Sequence, residues 1–248
     1  MAELMVVVAL GVLLLFAMQQ AVTTQRRYWA AQGGASARHE AVRIAMAVLT
    51  GALREASLAR GDVVILAPSR IRARMPLGLA QVCGTDLTGG RLGLVRAEGR
   101  WAALAGDSIL VPRAGGWTAE AVTALSGPTV QVPCVPVGGT VASLGRPALD
   151  AMTGAAARPF RSVVFELALD AGAPWLFRVD GAQRDAVAGP LDATAGFTAW
   201  YENAAGAVVA TPASAARVVV RVVTAPASGT PAGSRRDTVT LSFGGRNR

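Results

Sequence analysis

The start of the chain carries its longest apolar run. From Leu4 to Met18 no side chain is polar, and Glu3 stands alone just before this run. A helix that is apolar on all sides belongs in lipid or in a fully buried core. The strict run is shorter than the roughly 18–20 residues that span a bilayer, but it reaches that length when extended from Met1 to Val22. We therefore expect residues 1–24 to form a membrane-embedded helix.

A cleavable secretory signal is the alternative interpretation of this run. Such a signal has a basic start and a small-x-small cleavage site. This chain instead starts with the acid Glu3 and continues into Gln19-Gln20-Ala21. We favour the retained helix.

The next segment, residues 25–58, has the periodicity of an amphipathic helix. Apolar residues recur at steps of three or four, and the opposite face carries polar residues such as His39, which we expect to be a solvated surface histidine. The apolar stripe consists of Val42, Ala45, Met46, Leu49, Leu53 and Ala56. The two segments together predict one long helix over residues 1–58, with a kink or a frayed turn at Gly33-Gly34.

Beyond Gly61 the pattern changes to short β-type runs separated by Gly, Pro and Asp turns. These runs are Val63–Ala67, Leu92–Val95, Ser108–Val111, Thr129–Val132, Ser162–Leu169, Trp175–Val179, Phe197–Glu202, Arg217–Val223 and Thr238–Phe243. One helical turn is expected around residues 150–157. The fold class predicted is α+β, a long N-terminal transmembrane plus amphipathic helix followed by an antiparallel β-rich globular head over residues 59–248.

Composition and charge limit the kinds of binding site that the chain could form. The formal charge is +8, and all 24 basic residues are arginine, which gives only weak support for nucleic-acid binding. One histidine and two cysteines are too few for a tetrahedral metal site. Cys83 and Cys134 could form one disulfide outside the cytoplasm, or could be two unrelated buried thiols; we favour the disulfide.

Candidate sites are few. Arg70, Arg72 and Arg74 alternate with apolar residues, so a strand would place the three guanidinium groups on one face. That face could bind phosphate, anionic headgroups or DNA backbone, but the solvated face of an edge strand is the reading we favour. A calcium site from Asp180 and Asp185 lacks the EF-hand spacing. No nucleophile with its base is recognisable, so we expect neither an enzyme nor a cofactor.

Met1-Ala2-Glu3-Leu4, followed by an unbroken apolar helix, resembles the prepilin-type N-terminus of type IV pilins and pseudopilins, Gly-Phe-Thr-Leu-x-Glu-Leu. Toward the other end, Phe197-Thr-Ala-Trp-Tyr and a closing strand that leads to Arg-Asn are similar to W-type minor pilins and J-type pseudopilins. The resemblance implies a subunit of a type IV pilus or type II secretion pseudopilus. It also implies that Glu3 neutralises the N-terminal amine of a neighbouring subunit during assembly.

The resemblance also implies partners and a location. Arg26 and Arg27 follow the apolar run, and the positive-inside rule would place the head in the cytoplasm. The basic leader of the family would place the head outside the cytoplasm. We expect this outside location, because the resemblance implies the leader. The expected location is the inner membrane, with one span and a periplasmic or extracellular head, in a pilus or pseudopilus. The expected partners are other pilin or pseudopilin subunits, the inner-membrane assembly machinery, and a prepilin peptidase if the full-length chain has a leader.

Two other functions stay open. One is a DNA-uptake minor pilin that binds nucleic acid through Arg70, Arg72 and Arg74, a partner that we do not favour. The other is a single-pass membrane-anchored envelope protein unrelated to pili.

Overall fold

The computed structural model describes residues 2–54, 56–58, 60–86, 88–98, 106–127, 132, 134, 139–226 and 236–244; the side chains of 2–9, 31 and 96–98 lie outside this description. Its one α-helix in these ranges, α1, spans Ala2–Leu53 and ends five residues before the expected Leu58. The fourteen strands are β1 (Val63–Ala67), β2 (Arg70–Pro76), β3 (Leu79–Thr85), β4 (Arg91–Glu98), β5 (Ser108–Arg113), β6 (Gly116–Ser126), β7 (Thr140–Leu144), β8 (Ala156–Asp170), β9 (Ala173–Asp180), β10 (Gln183–Ala188), β11 (Phe197–Glu202), β12 (Val208–Val209), β13 (Arg217–Val223) and β14 (Thr238–Gly244).

The predicted fold class is wrong, because the described chain is mainly antiparallel β-sheet with a single N-terminal helix. No helix among the described residues is both long and apolar enough to cross a membrane. The predicted transmembrane segment and the single-pass inner-membrane location are therefore also wrong. The physical reason lies in the run itself: Leu4–Met18 is too short for a span, and Gln19 and Gln20 end it.

The fifteen-residue strand β8 joins the two parts of the β structure. Its first residues, Ala156 and Ala157, pair with β3, and the next ones, Arg158–Phe160, pair with β5. Its later residues pair with β2 on one side and β9 on the other. One continuous strand therefore fixes the two parts relative to each other. The turn expected around residues 150–157 is not helical, because β8 begins within it.

The first part is a closed ring of six antiparallel strands in the order β8-β3-β4-β7-β6-β5, which returns to β8. Its core contains only small and medium aliphatic side chains, because six strands enclose little space. These are Ala80, Val82, Leu92, Leu94, Ile109, Val111, Val122, Ala142, Leu144, Ala148 and Ala157. The predicted strand Thr129–Val132 lies outside the described residues except for Val132, which is buried beside Val141.

The second part packs two sheets and the end of α1 around one larger core. The first sheet has the order β1-β2-β8-β9-β10, and the second has the order β12-β11-β13-β14. Phe165 of β8 and Phe197 of β11 are fully buried in this core, together with Leu49 of α1. The Tyr201 hydroxyl ties the sheets together, since it accepts a hydrogen bond from the Ile65 N–H at 3.0 Å.

Candidate functional site

Helix α1 has two halves in different environments. In the half near the head, Ala41, Ala45, Leu49 and Leu53 are at most 5% exposed and belong to the larger core. Ala45, Leu49 and Leu53 are members of the apolar stripe expected within residues 25–58. At the level of Arg38 and His39, Asp237 also contacts the helix: it lies just before β14, 3.7 Å from Arg38 Nε and 3.5 Å from His39 Nδ1.

The other half of the helix contacts nothing in the described chain that would cover it. Seven of its large apolar side chains are more than half exposed, at neighbouring positions that lie all around the helix. We call this set the exposed apolar segment; it consists of Leu10, Val12, Leu13, Leu14, Leu15, Phe16 and Met18, which are 58–69% exposed. Tyr28 and Trp29, further along, are 63% and 65% exposed. Large apolar patches on isolated chains mark interaction surfaces.

Glu3, the residue expected to act in assembly, lies in α1 before the exposed apolar segment. Its side chain is outside the described part of the structure. Its assembly function stays a prediction.

The three predicted arginines share one face of β2, as their alternation indicated. Ile71 and Ala73, between them, are fully buried, whereas Arg70 and Arg72 are exposed. Arg70 Nε lies 3.1 Å from a carboxylate oxygen of Glu166 on β8. This ion pair reduces the positive charge that Arg70 offers to an anion.

Arg74 has a structural position at the end of this face. It donates to the Arg60 carbonyl at 3.1 Å, and its guanidinium carbon lies 5.0 Å from the centre of the Phe160 ring. The Arg60 carbonyl belongs to the loop between α1 and β1, in which the Ser57 N–H donates to the buried carboxylate of Asp62. Arg74 therefore supports the exit of the helix into the head.

The outer face of the first sheet continues the arginine pattern across the strands. Arg184 of β10 stacks on Phe177 at 3.9 Å and lies 3.7 Å from Glu166. Glu166 is thus placed between Arg70 and Arg184, with Phe177 beneath. Arg72, opposite Val164 in the strand register, is exposed like Arg70.

A disulfide bond joins Cys83 and Cys134, whose Cα atoms are 5.6 Å apart. It connects β3 of the six-stranded ring to a position 51 residues later. The connection approaches the backbone closely at Gly84, where a Cβ atom would lie 3.1 Å from Cys134 Sγ. Gly84 leaves room for the bridge beside the strand.

Two ion pairs that join a buried carboxylate to a partly exposed arginine were not expected from the sequence. Arg161 of β8 donates through Nε and Nη2 to both oxygens of Asp107, at 2.8 and 3.2 Å, and Asp107 is only 4% exposed. The bond to Asp107 raises the pKa of the Arg161 guanidinium. Arg113 donates to Glu120, 2% exposed, at 2.6 Å. Paired charges of this kind hold strand ends in place; no sequence signal could have paired residues 54 positions apart.

Two carboxylates, Glu202 of β11 and Asp192 in the segment before β11, are held in their ionised form. Asp192 accepts hydrogen bonds from the Ala195 N–H, the Thr194 hydroxyl and the Thr194 N–H, and these bonds lower its pKa; Arg236 adds to the effect. The pKa of Glu202 is lowered by its hydrogen bonds from Trp200 Nε1 at 2.7 Å and from Arg217. The oxygen atoms of both carboxylates therefore already have partners within the fold.

The described residues contain no group of three His, Cys, Asp or Glu side chains that could hold a metal ion. Asp180 and Asp185, weighed earlier for calcium, have other partners: Asp180 lies 3.5 Å from Arg178, and Asp185 accepts from the Gln183 amide. No family model, curated protein or solved structure matches the chain. The exposed apolar segment of α1 is therefore the feature with the clearest capacity for an interaction.

Proposed function

We propose that this chain is a structural subunit that assembles through the exposed apolar segment of α1, as pilins and pseudopilins do in a type IV pilus or a type II secretion pseudopilus. The partners would be equivalent helices of other subunits. The observation that carries the proposal is the exposure of seven large apolar side chains at near-consecutive positions, each at least 58% exposed.

The distribution of these side chains favours a helix bundle over a groove. A groove on a partner covers one stripe of a helix, with anchors at steps of three or four. Leu13, Leu14 and Leu15 are consecutive and point about 100° apart, so a single stripe would leave some of them in water. Several neighbouring helices around each segment would cover all of them.

The division of α1 supports the same function. Its second half is fixed to the head by the core around Leu49 and by the contacts of Asp237. The exposed apolar segment, from Leu10 to Met18, extends about 14 Å at 1.5 Å per residue. Because the helix is fixed to the head at one end, its packing among other helices would set the position of the head in the assembly. In this proposal Glu3 sets the register, by pairing with a neighbour's N-terminal amine.

The nucleic-acid alternative has less support. Of the three arginines that would form its binding face, Arg70 pairs with Glu166 and Arg74 bonds within the helix exit. Nucleic-acid affinity grows with the number of phosphates that a protein neutralises. Arg72 alone could neutralise few of them. We do not propose it.

The experiment compares Leu14→Arg with the unchanged full chain, in mild detergent, by sedimentation velocity over a range of concentrations. A charge among packed helices would be desolvated without a partner, so we expect loss of the large species while the head unfolds at the same temperature. Thr24→Arg, beyond the exposed apolar segment, is the matched control and should assemble normally. Assembly of Leu14→Arg at the level of the control would overturn the proposal.

A further inference from the structure

The two sheets outside the ring have four edge strands, and three of these are protected against pairing with another chain. In β1, the Ile65 N–H is bonded to the Tyr201 hydroxyl, and the register shifts before Ala67. In β10, the register also shifts, and Arg184 and Asp185 place charges on the edge. Strand β12 has only two residues. Bulges, charges and shortness are the usual means of blocking an edge.

The fourth edge, β14, has no bulge, no charge and full length, although α1 packs close to the strand and Arg38 and His39 lie beside Asp237, just before it. Its seven residues, Thr-Val-Thr-Leu-Ser-Phe-Gly, include no charge and no proline, and all seven pair with β13 without a shift of register. Within the described residues, β14 has no other strand partner, and its backbone has no hydrogen bond outside the ladder. A long, regular and uncharged edge is a template for another strand.

The hydrogen-bond pattern shows which backbone groups of β14 face outward. The Thr224 N–H donates to the Asp237 carbonyl at 3.0 Å, so these two residues form a hydrogen-bonded pair next to the strand. In an antiparallel ladder such pairs alternate with pairs that are not bonded. The alternation points the N–H groups of Thr238, Thr240 and Ser242 away from β13.

We propose that β14 pairs with β14 of a second copy of this chain, antiparallel and centred on Leu241, so that the second sheets of two copies become one continuous sheet. A second copy offers no other unprotected edge in the described part of the chain. Because β14 is uncharged, the two strands bring no like charges together. Centring on Leu241 is the register that pairs all seven residues.

This register also matches the side chains. It sets Thr240 opposite Ser242 of the second copy, with their outward N–H and carbonyl groups facing each other. On the core side it sets Val239 opposite Phe243 of the second copy. Val239, Leu241 and Phe243 are partly exposed in one chain, and Leu241 and Phe243 already pack on the larger core. Pairing extends that core across the two copies.

The experiment is cysteine cross-linking in the purified full chain. Hydrogen-bonded antiparallel pairs have Cα atoms about 5.5 Å apart, which is within the range of a disulfide. The two native cysteines are bonded to each other, so introduced cysteines supply the reacting thiols. We expect the double variant Thr240→Cys, Ser242→Cys to form a covalent dimer on mild oxidation, measured by intact mass. Thr240→Cys alone should not, because diagonal neighbours lie about 7–8 Å apart.

A second variant tests the edge itself. Leu241→Pro is unsuitable, because it would damage the pairing with β13. The N–H of Thr238 points outward instead, so Thr238→Pro removes that N–H at little cost to the fold. In the double-cysteine background, Thr238→Pro should reduce the covalent dimer, while Thr238→Ala should not. All variants are also made with Leu14→Arg, so that failure of helix assembly does not affect the result. Absence of the dimer in the double variant, or an equal yield with Thr238→Pro, overturns the proposal.

Discussion

Two leucines of the same helix provide a direct test of the division of α1. Leu49 is fully buried among both sheets, whereas Leu14 is 58% exposed. Replacing Leu49 by alanine removes buried methyl groups and leaves a cavity, which costs about 2–5 kcal/mol. For a chain of this size, each kcal/mol lowers the unfolding temperature by roughly 2–4 °C, so about 3 kcal/mol corresponds to roughly 6–12 °C. The same change at Leu14 should leave the unfolding of the head unchanged.

The assay is thermal unfolding of the head, followed by near-ultraviolet circular dichroism at a concentration low enough to limit assembly. Leu14→Ala should instead shift the concentration at which large species appear, because it removes apolar surface from the exposed segment. Equal losses of stability for Leu14→Ala and Leu49→Ala would refute the reasoning. Such a result would mean that the exposed apolar segment packs against its own head.

Three further results are expected. Replacing Cys83 and Cys134 by serine should lower the free energy of unfolding by about 4 kcal/mol in the chain-entropy model, measured in urea, and unchanged stability would contradict it. Asp107→Ala should lower it by about 1–3 kcal/mol, because Arg161, 31% exposed, loses its two hydrogen bonds and keeps only the longer contact with Asp180 at 3.7 Å; Asp150→Ala at an exposed position is the control. Since the pKa of Asp192 is lowered in the fold, its stabilisation is complete at neutral pH and is lost as the pH falls below about 4; the difference from Asp192→Asn should shrink over the same range.

The sequence predicted well those strands whose residues are continuous and β-branched. Arg217–Val223 is β13 with the predicted bounds, and Val63–Ala67 is β1. Such runs combine strand propensity with burial, so local pattern and final environment agree. The stripe of α1 around Leu49 was predictable for the same reason, since its 3.6-residue period is a local property.

The six-stranded ring could not be predicted in the same way. Its strand β6 alternates small and polar residues, and β3 contains Cys83 and Gly84. Neither carries an obvious apolar face. Their burial results from closure of the ring, in which β8 pairs with strands that lie about 50 and 75 residues before it; non-local pairing of this kind leaves little trace in a local window.

The candidate site was predictable in part. Alternation placed the three arginines on one face correctly, but it could not show that Glu166 lies beside Arg70, since 96 residues separate them. The exposed apolar segment was recognised as the dominant feature, yet its surroundings were misjudged. A helix that is apolar all round requires cover, and the pattern alone does not say what covers it.

The free energy of burying the exposed apolar segment favours packing against several helices over packing against one. Burying the exposed fractions of seven large side chains would contribute on the order of 10 kcal/mol. Association of two chains costs an estimated 4–15 kcal/mol, and one neighbouring helix would cover only one side of the segment. A helix pair is therefore marginal, whereas each further neighbour covers side chains that the first left exposed. Assembly through α1 should consequently be cooperative, with large species appearing above a threshold concentration and few intermediate ones, and a stable helix dimer that does not grow would argue against a bundle.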